Sequence, residues 1–201
     1  MTCPDLSAPA GIDVFDFDGT LFAGDTQLAF TAYALRHRPR TVLFLPLGLP
    51  GLVMALLRPH DLAHAKRFFL LPLAKAHAFD LIGPFWEEMK KEGRVDLSPL
   101  GPDRPAVICS ASPAFLLRPL FESVPRVVSV IGTELDPETL RILGPNNRGE
   151  EKVHRLKALF PQARVRRMLT DSAKHDAPLL ALAEEPTVLP KRFRKGDVRH
   201  G

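Results

Sequence analysis

The chain has 201 residues, 45% of them hydrophobic, which is enough for a buried core in one domain with a large insertion or in two small domains. A net charge of +4 favours anionic partners but is too small by itself to indicate nucleic-acid binding. The two cysteines, Cys3 and Cys109, exclude a disulfide framework and a cysteine zinc site, which is typical of a reducing cytoplasm. The first eleven residues have neither a basic stretch nor an apolar one, so we expect no secretory signal.

The segment VFDFDGTL predicts a short buried strand from Val14 to Phe17 that ends in a loop at Gly19. Asp16 and Asp18 lie in this apolar run, where an unpaired buried carboxylate is costly. We therefore expect other groups to compensate their charge.

A long apolar helical region follows, from an N-cap at Asp25 or Thr26 to about Glu92. It predicts a separate helical layer. From Pro105 onward, strands and helices alternate, which predicts a parallel or mostly parallel α/β sheet. The expected strands are AVIC, RVVSVIGTEL, TLRILG, VRRML and PTVLP, and the expected helices are SPAFLLRPLFES, GEEKVHRLKALF and APLLALAEE.

Polar residues follow three of the predicted strands, with Asp16 and Asp18 after the first, Ser110 after AVIC and Asp171 after VRRML. Strands of one parallel sheet bring such ends together, and their carboxylates would repel one another without a hard cation such as Mg²⁺. Lys152 lies near the start of a predicted helix, where an ammonium and the helix dipole together favour a phosphate. These residue types suit phosphoryl transfer.

In this order, DFDGTL, CSAS, EEKVHRLK and TDSAKHD resemble the four motifs of the haloacid dehalogenase superfamily, whose phosphatases use an aspartyl-phosphate intermediate. The resemblance implies a Rossmann-like α/β core formed by residues 1–24 and 100–201. It also implies an inserted helical cap, residues 25–99, that closes over the site and selects the substrate.

Carried over to this chain, the resemblance makes Asp16 the nucleophile and a Mg²⁺ ligand. Asp18 would be the general acid and base, and its backbone carbonyl would bind the metal. Ser110 would hydrogen-bond a phosphoryl oxygen, and Lys152 would offset the charge of nucleophile and phosphoryl group. Asp171 would be the third contribution to the metal. Because members that cleave carbon–halogen bonds lack the second acid, Asp18 favours phosphate-ester hydrolysis, with transfer to another acceptor left open.

Other residues near the motifs carry less definite predictions. Asp176 is a second acid of the fourth motif, with a role that stays open. Asp25 is either a substrate contact or the N-cap of the first cap helix. Ser112 is expected to cap the helix after the second motif, and His154 and His175 are expected to be surface residues.

Residues 41–57 contain no charge, with Arg40 and Arg58 on either side. The run is shorter than the ~20 residues of a spanning helix, and prolines and glycines interrupt it, which excludes a simple transmembrane helix. It is either a buried helical hairpin of the cap or an apolar surface that contacts a membrane. In the second case Trp86 and the basic tail from Lys191 could add contacts with lipid.

Together with the ending DAPLLALA, this apolar cap resembles the branch that contains phosphatidylglycerophosphatase C, a membrane-associated enzyme. That resemblance implies a cytoplasmic phospholipid phosphatase, with a peripheral position at the inner face of the membrane as an option. The alternatives are a soluble small-metabolite phosphatase of the phosphoserine type and a catalytically inactive membrane-surface module. Nucleic-acid binding is not expected, because the chain has one Tyr and one Trp for stacking.

Overall fold

The computed structural model describes residues 11–57, 62–102 and 104–190. Cys3, Arg58 and the tail from Lys191 therefore lie outside the described residues. Five strands form one sheet in the order β3-β2-β1-β4-β5, and every neighbouring pair is parallel. The strands are β1 Gly11–Phe15, β2 Ala106–Pro113, β3 Val127–Thr133, β4 Arg164–Thr170 and β5 Glu185–Val188. The predicted α/β class is confirmed.

Seven α-helices surround or extend this sheet in the described part of the chain. They are α1 Thr26–His37, α2 Leu49–Leu57, α3 Leu62–Lys75, α4 Ile82–Lys91, α5 Ala114–Phe121, α6 Glu150–Leu159 and α7 Ala177–Leu180. Three 3-10 segments, Pro39–Gly48, Ala78–Leu81 and Ser98–Leu100, connect them. The first four helices form the helical layer expected between the first two motifs, while the division at residues 25 and 99 stays a prediction.

Both faces of the sheet are buried, as parallel strands require. Ile12 and Val14 of β1 pack on one face in a cluster that includes Leu156 of α6 and Leu179 of α7. Phe15 packs on the other face, in the larger cluster that contains α5 and the helical layer. Because β1 lies between β2 and β4, its carboxyl end opens into the crevice where such sheets bind ligands.

Trp86 of α4 joins the helical layer to the core. Its ring lies 5.7 Å from each of the rings of Phe17 and Phe22, edge to face, and its indole N–H donates a hydrogen bond to the carbonyl oxygen of Leu116 at 2.8 Å. The side chain is 2% exposed. The expectation that Trp86 contacts a membrane is wrong, because its ring is buried and its indole N–H is hydrogen-bonded inside the protein.

Two of the expected elements differ from the structure. TLRILG is not a strand. Leu135 and Ile142 form one isolated antiparallel bridge, because Asp136 accepts hydrogen bonds from the backbone N–H groups of Glu138 and Thr139, at 2.9 Å each, and folds the chain back on itself. The helix expected over APLLALAEE ends at Leu180, since β5 begins at Glu185 to pair with β4.

Residues 41–57 lie mostly at the surface. Of those whose burial is described, only Thr41 and Gly51 are buried, whereas Leu43 is 77% and Leu49 60% exposed. The buried-hairpin alternative is therefore wrong. Among the described residues no single helix is long and apolar enough to cross a membrane, and one pair that passes only together, His64–Lys75 with Ala78–Lys91, is bent by 88°.

Replacing Trp86 with Ala is expected to lower the free energy of unfolding by about 3–5 kcal/mol, because it leaves a cavity among packed rings and an unpaired carbonyl at Leu116. Urea denaturation followed by circular dichroism measures the change. Leu28→Ala is the control, since Leu28 is 71% exposed and should change stability by less than about 0.5 kcal/mol. Equal effects of both substitutions would contradict this packing.

Candidate active site

A tight loop after β1 places the two carboxylates of the first motif. The backbone carbonyl of Phe17 accepts hydrogen bonds from three successive N–H groups, those of residues 20, 21 and 22. Gly19 within this loop has a φ of +76°, and a Cβ there would lie 2.3 Å from Oδ2 of Asp171. Only glycine lets the loop approach Asp171 this closely, and Asp16, Asp18 and Asp171 come to one place as a result.

The ammonium of Lys152 lies between two carboxylates. Its Nζ donates to Oδ1 of Asp16 at 2.9 Å and to Oδ1 of Asp176 at 2.7 Å, and the Lys152 side chain is 3% exposed. Thr170 donates to the other oxygen of Asp176 at 2.7 Å. Asp176, the second acid of the fourth motif, thus holds Lys152 directly. The sequence had left the role of this residue open.

Burial and charge act against each other in this group. Burial by itself would lower the pKa of Lys152, but the carboxylates of Asp16 and Asp176 outweigh it and raise that pKa above its usual range. Burial raises the pKa of Asp16 to about 7, although Lys152 acts to lower it. Lys152 is therefore a fixed cation beside Asp16, the predicted nucleophile.

Asp18 is held by neutral groups instead. The backbone N–H of Thr26 donates to its Oδ1 at 2.7 Å, and the Thr26 hydroxyl donates to the same oxygen. The hydroxyl of Ser112 donates to Oδ2, with that of Ser110 at a longer 3.5 Å. Burial raises the pKa of Asp18, and the hydrogen bonds from Ser112 and Thr26 only partly oppose this.

The role expected for Ser112 is wrong. Helix α5 begins at Ala114 with Pro113 as its N-cap and has no side-chain cap. The Ser112 hydroxyl turns to Asp18 instead, because β2 and β3 lose their regular register between Cys109 and Pro113. This irregularity aims two serine hydroxyls at the site.

The structure brings all of the predicted site residues to one cavity of about 350 Å³. Its lining consists of Asp16, Asp18, Asp25, Ser110, Ala111, Arg148, Lys152, Asp171, Ser172, His175 and Asp176. The catalytic and metal-binding roles of the predicted residues stay predictions. Their shared location at the carboxyl end of β1 follows from the strand order.

Asp25 is the N-cap of α1, because its carboxylate accepts a hydrogen bond from the backbone N–H of Leu28 at 2.9 Å. It also lines the cavity, so the capping role is observed and the substrate contact stays a prediction. His154, with its side chain 79% exposed, is a surface residue as expected. His175 is exposed too, but it borders the cavity beside the guanidinium of Arg148.

Several polar residues at the site were not identified from the sequence. Thr26 and Ser112 hold Asp18, as described above. The hydroxyl of Thr20 accepts the backbone N–H of Asp171 at 3.0 Å, and the buried amide of Asn147 donates to the carbonyl oxygen of Ser110 at 2.8 Å. Thr20 and Ser112 lie within the quoted motifs and Thr26 and Asn147 lie a few residues outside them, and their only sequence signal is that they are small polar residues there.

The donor chemistry fits Mg²⁺. Asp16 and Asp171 offer carboxylate oxygens at one cavity, and Gly19 leaves Asp171 room against the loop that carries Asp18. Oxygen donors of this kind suit a hard cation that keeps several waters. Within the part of the chain that the structure describes, no three His, Cys, Asp or Glu side chains form a metal-binding group, and the Mg²⁺ site, with the backbone carbonyl of Asp18 as one ligand, stays a prediction.

Comparison with known proteins gives the family. A family model described as haloacid dehalogenase-like hydrolase matches residues 14–181. A comparison with curated proteins found no match. A protein of unknown function from Bordetella pertussis Tohama I is similar in structure, with a TM-score of 0.57, 19% identity and coverage of 89% of this chain and 90% of the other.

Two further solved structures are more distant. A phosphoserine phosphohydrolase-like protein from Francisella tularensis subsp. tularensis SCHU S4 has a TM-score of 0.41 and 13% identity, covering 85% of this chain and 82% of the other. L-2-haloacid dehalogenase from Xanthobacter autotrophicus, with chloropropionic acid covalently bound, has a TM-score of 0.36 and 16% identity, covering 80% and 69%.

Replacing Lys152 with Met should destabilise the protein by about 3–5 kcal/mol at pH 7 in the presence of a chelator, because two buried carboxylates lose their cation. The loss should shrink toward pH 4. Without the lysine, the pKa of Asp16 in the folded state rises further, so the folded form binds a proton that the unfolded form releases, and stability falls as pH rises.

Urea denaturation at several pH values tests this. Lys157→Met is the matched control, since Lys157 is an exposed lysine of the same helix. A Lys152→Met protein as stable as that control at pH 7 would show that the buried ion pairs do not exist.

Proposed function

Since this chain belongs to the haloacid dehalogenase-like hydrolases, we propose that it is a phosphatase that hydrolyses phosphate monoesters through an aspartyl-phosphate intermediate. The observation that carries this proposal is the position of Asp18. Its carboxyl group lies two residues from Asp16 at the same cavity and is held on both oxygens. A second acid fixed beside the nucleophile is what an oxygen leaving group requires.

In the first half-reaction, the carboxylate of Asp16 attacks phosphorus and the bond from phosphorus to the leaving oxygen breaks. The carboxyl group of Asp18 gives its proton to that oxygen, which leaves as an alcohol. In the second half-reaction, the Asp18 carboxylate takes a proton from water, and the resulting hydroxide attacks the phosphoryl group. Inorganic phosphate leaves, and both carboxyl groups return to their starting states.

Lys152 orients Asp16 and offsets negative charge as the phosphoryl group arrives, while Ser110 donates a hydrogen bond to a phosphoryl oxygen. Asp176 keeps the lysine in place from the opposite side. Asp16, the backbone carbonyl of Asp18 and Asp171 would hold Mg²⁺, which supplies a further positive charge against the phosphoryl oxygens.

We further propose a phospholipid substrate, such as phosphatidylglycerophosphate, reached at a membrane surface. The support is the character of the helical layer. Residues 42–57 expose apolar side chains, among them Leu43, Leu49 and Val53. Exposed apolar side chains of this size on one segment are unusual in a protein that meets only water.

Charge in the helical layer supports the same partner. From residue 26 to residue 91, the span of α1 to α4, the sequence contains nine lysines and arginines and four acidic residues, so the helical layer has an excess of positive charge. Arg40, which directly precedes the apolar segment in the chain, is exposed. Basic side chains around an apolar patch suit the negatively charged face of a bilayer.

The expected location is the reducing cytoplasm, at the inner face of the membrane. Cys109 is buried and free, as cysteines of a reducing compartment commonly are. If the apolar surface has another purpose, the alternative is a soluble substrate and a protein that does not contact lipid. The next two experiments separate these possibilities.

Asp16→Asn should reduce phosphate release with Mg²⁺ by at least about a thousandfold, because an amide cannot attack phosphorus. The assay compares phosphatidylglycerophosphate in mixed micelles with a panel of soluble phosphate esters. Asp80→Asn, at an exposed carboxylate paired with Arg38, should keep full activity. If only soluble esters are hydrolysed, the phosphatase proposal stands and the lipid-substrate proposal is rejected. If the unchanged protein hydrolyses neither, the proposal that it is an enzyme is rejected.

Flotation with vesicles that contain phosphatidylglycerol should recover the unchanged protein with the lipid, less so at high salt. Leu43→Gln combined with Leu49→Gln should lower the bound fraction at least about tenfold, because two apolar side chains no longer enter the interface. Leu159→Gln is the control on α6, where Leu159 is 58% exposed, and should float normally. Protein that stays in solution at low salt would rule out membrane contact.

A further inference from the structure

Lys66, from the second turn of α3, reaches out of the helical layer to the carboxyl ends of the strands beside the site. Its ammonium donates hydrogen bonds to the backbone carbonyl of Ala111 and to the side-chain oxygen of Asn146. The hydroxyl oxygen of Thr133 lies 3.4 Å from Nζ. All three acceptors are neutral: Ala111 and Thr133 lie near the carboxyl ends of β2 and β3, and Asn146 lies in the loop before α6.

This arrangement is unusual for a lysine. The side chain is half-buried, and no carboxylate of the described residues forms an ion pair with it, although such pairs are the usual partner of a desolvated ammonium. An ammonium has three N–H groups, and the three neutral acceptors occupy them. These hydrogen bonds direct the ammonium toward β2, β3 and the loop that carries Asn146.

The carbonyl that Lys66 binds lies between two serines of the site. Ala111 stands between Ser110 and Ser112, the two residues whose hydroxyls meet Oδ2 of Asp18. Regular pairing of β2 with β3 is lost there, so the sheet does not fix this peptide. Lys66 and the hydroxyl of Thr133, which donates to the same carbonyl at 2.6 Å, hold it in place of the sheet.

We propose that Lys66 is a positioning residue that couples the helical layer to the placement of Asp18. The ammonium fixes the Ala111 peptide, and this peptide fixes the direction of the Ser112 hydroxyl that orients the proton-transferring carboxyl group. The contact that packs α3 against the core therefore also orients Asp18 for proton transfer. The inference rests on the proposed phosphatase function.

Lys66→Met, which keeps the length of the side chain without its donors, tests the coupling by steady-state phosphate release from the soluble ester p-nitrophenyl phosphate and from phosphatidylglycerophosphate micelles. For each substrate that the unchanged protein hydrolyses, kcat should fall ten- to hundredfold while KM changes less than twofold. A catalytic group misplaced by about 1 Å lowers the rate by a factor of that order. Lys75→Met, at an exposed lysine of the same helix, should match the unchanged protein.

A double-mutant cycle identifies the route. If Lys66 acts through Ser112, adding Ser112→Ala to Lys66→Met should slow the enzyme no further than the slower single variant. Thr26→Ala removes the hydroxyl on the other oxygen of Asp18 and should couple more weakly with Lys66. Thermal melting of each variant confirms folding.

Three results would overturn the inference. They are a kcat for Lys66→Met equal to that of Lys75→Met, a rise in KM alone, or additive effects with Ser112→Ala. The unchanged protein keeps its activity in each of these cases, so the phosphatase proposal survives. Absence of turnover by the unchanged protein would instead overturn the proposed function, and the inference with it.

Discussion

The buried ammonium of Lys152 between Asp16 and Asp176 is the interaction on which the site depends. Three separated parts of the chain supply these groups, namely the loop after β1, the first turn of α6 and the loop after β4. Each would be an isolated buried charge without the others, at a cost of several kcal/mol. The parallel sheet makes their meeting possible, because its strands end along one edge. The same ion pairs then leave a fixed cation beside a carboxylate that can act as nucleophile.

Asp16 and Asp18 are two residues apart, yet the protein compensates them by different means. A full positive charge meets Asp16, whereas hydrogen bonds from Thr26 and Ser112 meet Asp18. Neutral donors orient a carboxyl group without forcing it to stay ionised, and burial raises the pKa of Asp18. These different surroundings agree with the different tasks proposed for the two groups, attack by Asp16 and proton exchange by Asp18.

The helical layer has two contrasting sides. Toward the sheet it buries aromatic rings and sends Thr26 and Lys66 to the site. Toward the outside, residues 42–57 expose leucines and valines. The helical layer therefore contacts Asp18 and its neighbours on one side and exposes the apolar segment on the other.

The sequence by itself determined the α/β class, the parallel strands and the residues Asp16, Asp18, Ser110, Lys152 and Asp171 as one cluster. Hydrophobic periodicity is a local property, and strand ends of a parallel sheet meet in any such fold. The tertiary structure decided that Ser112 faces Asp18 rather than capping α5, that Asp176 holds Lys152, and that residues 42–57 lie outside while Trp86 lies inside. These outcomes depend on register, on loop direction and on which face of a helix meets the core. No local pattern encodes them, because each is fixed by contacts between segments far apart in the chain.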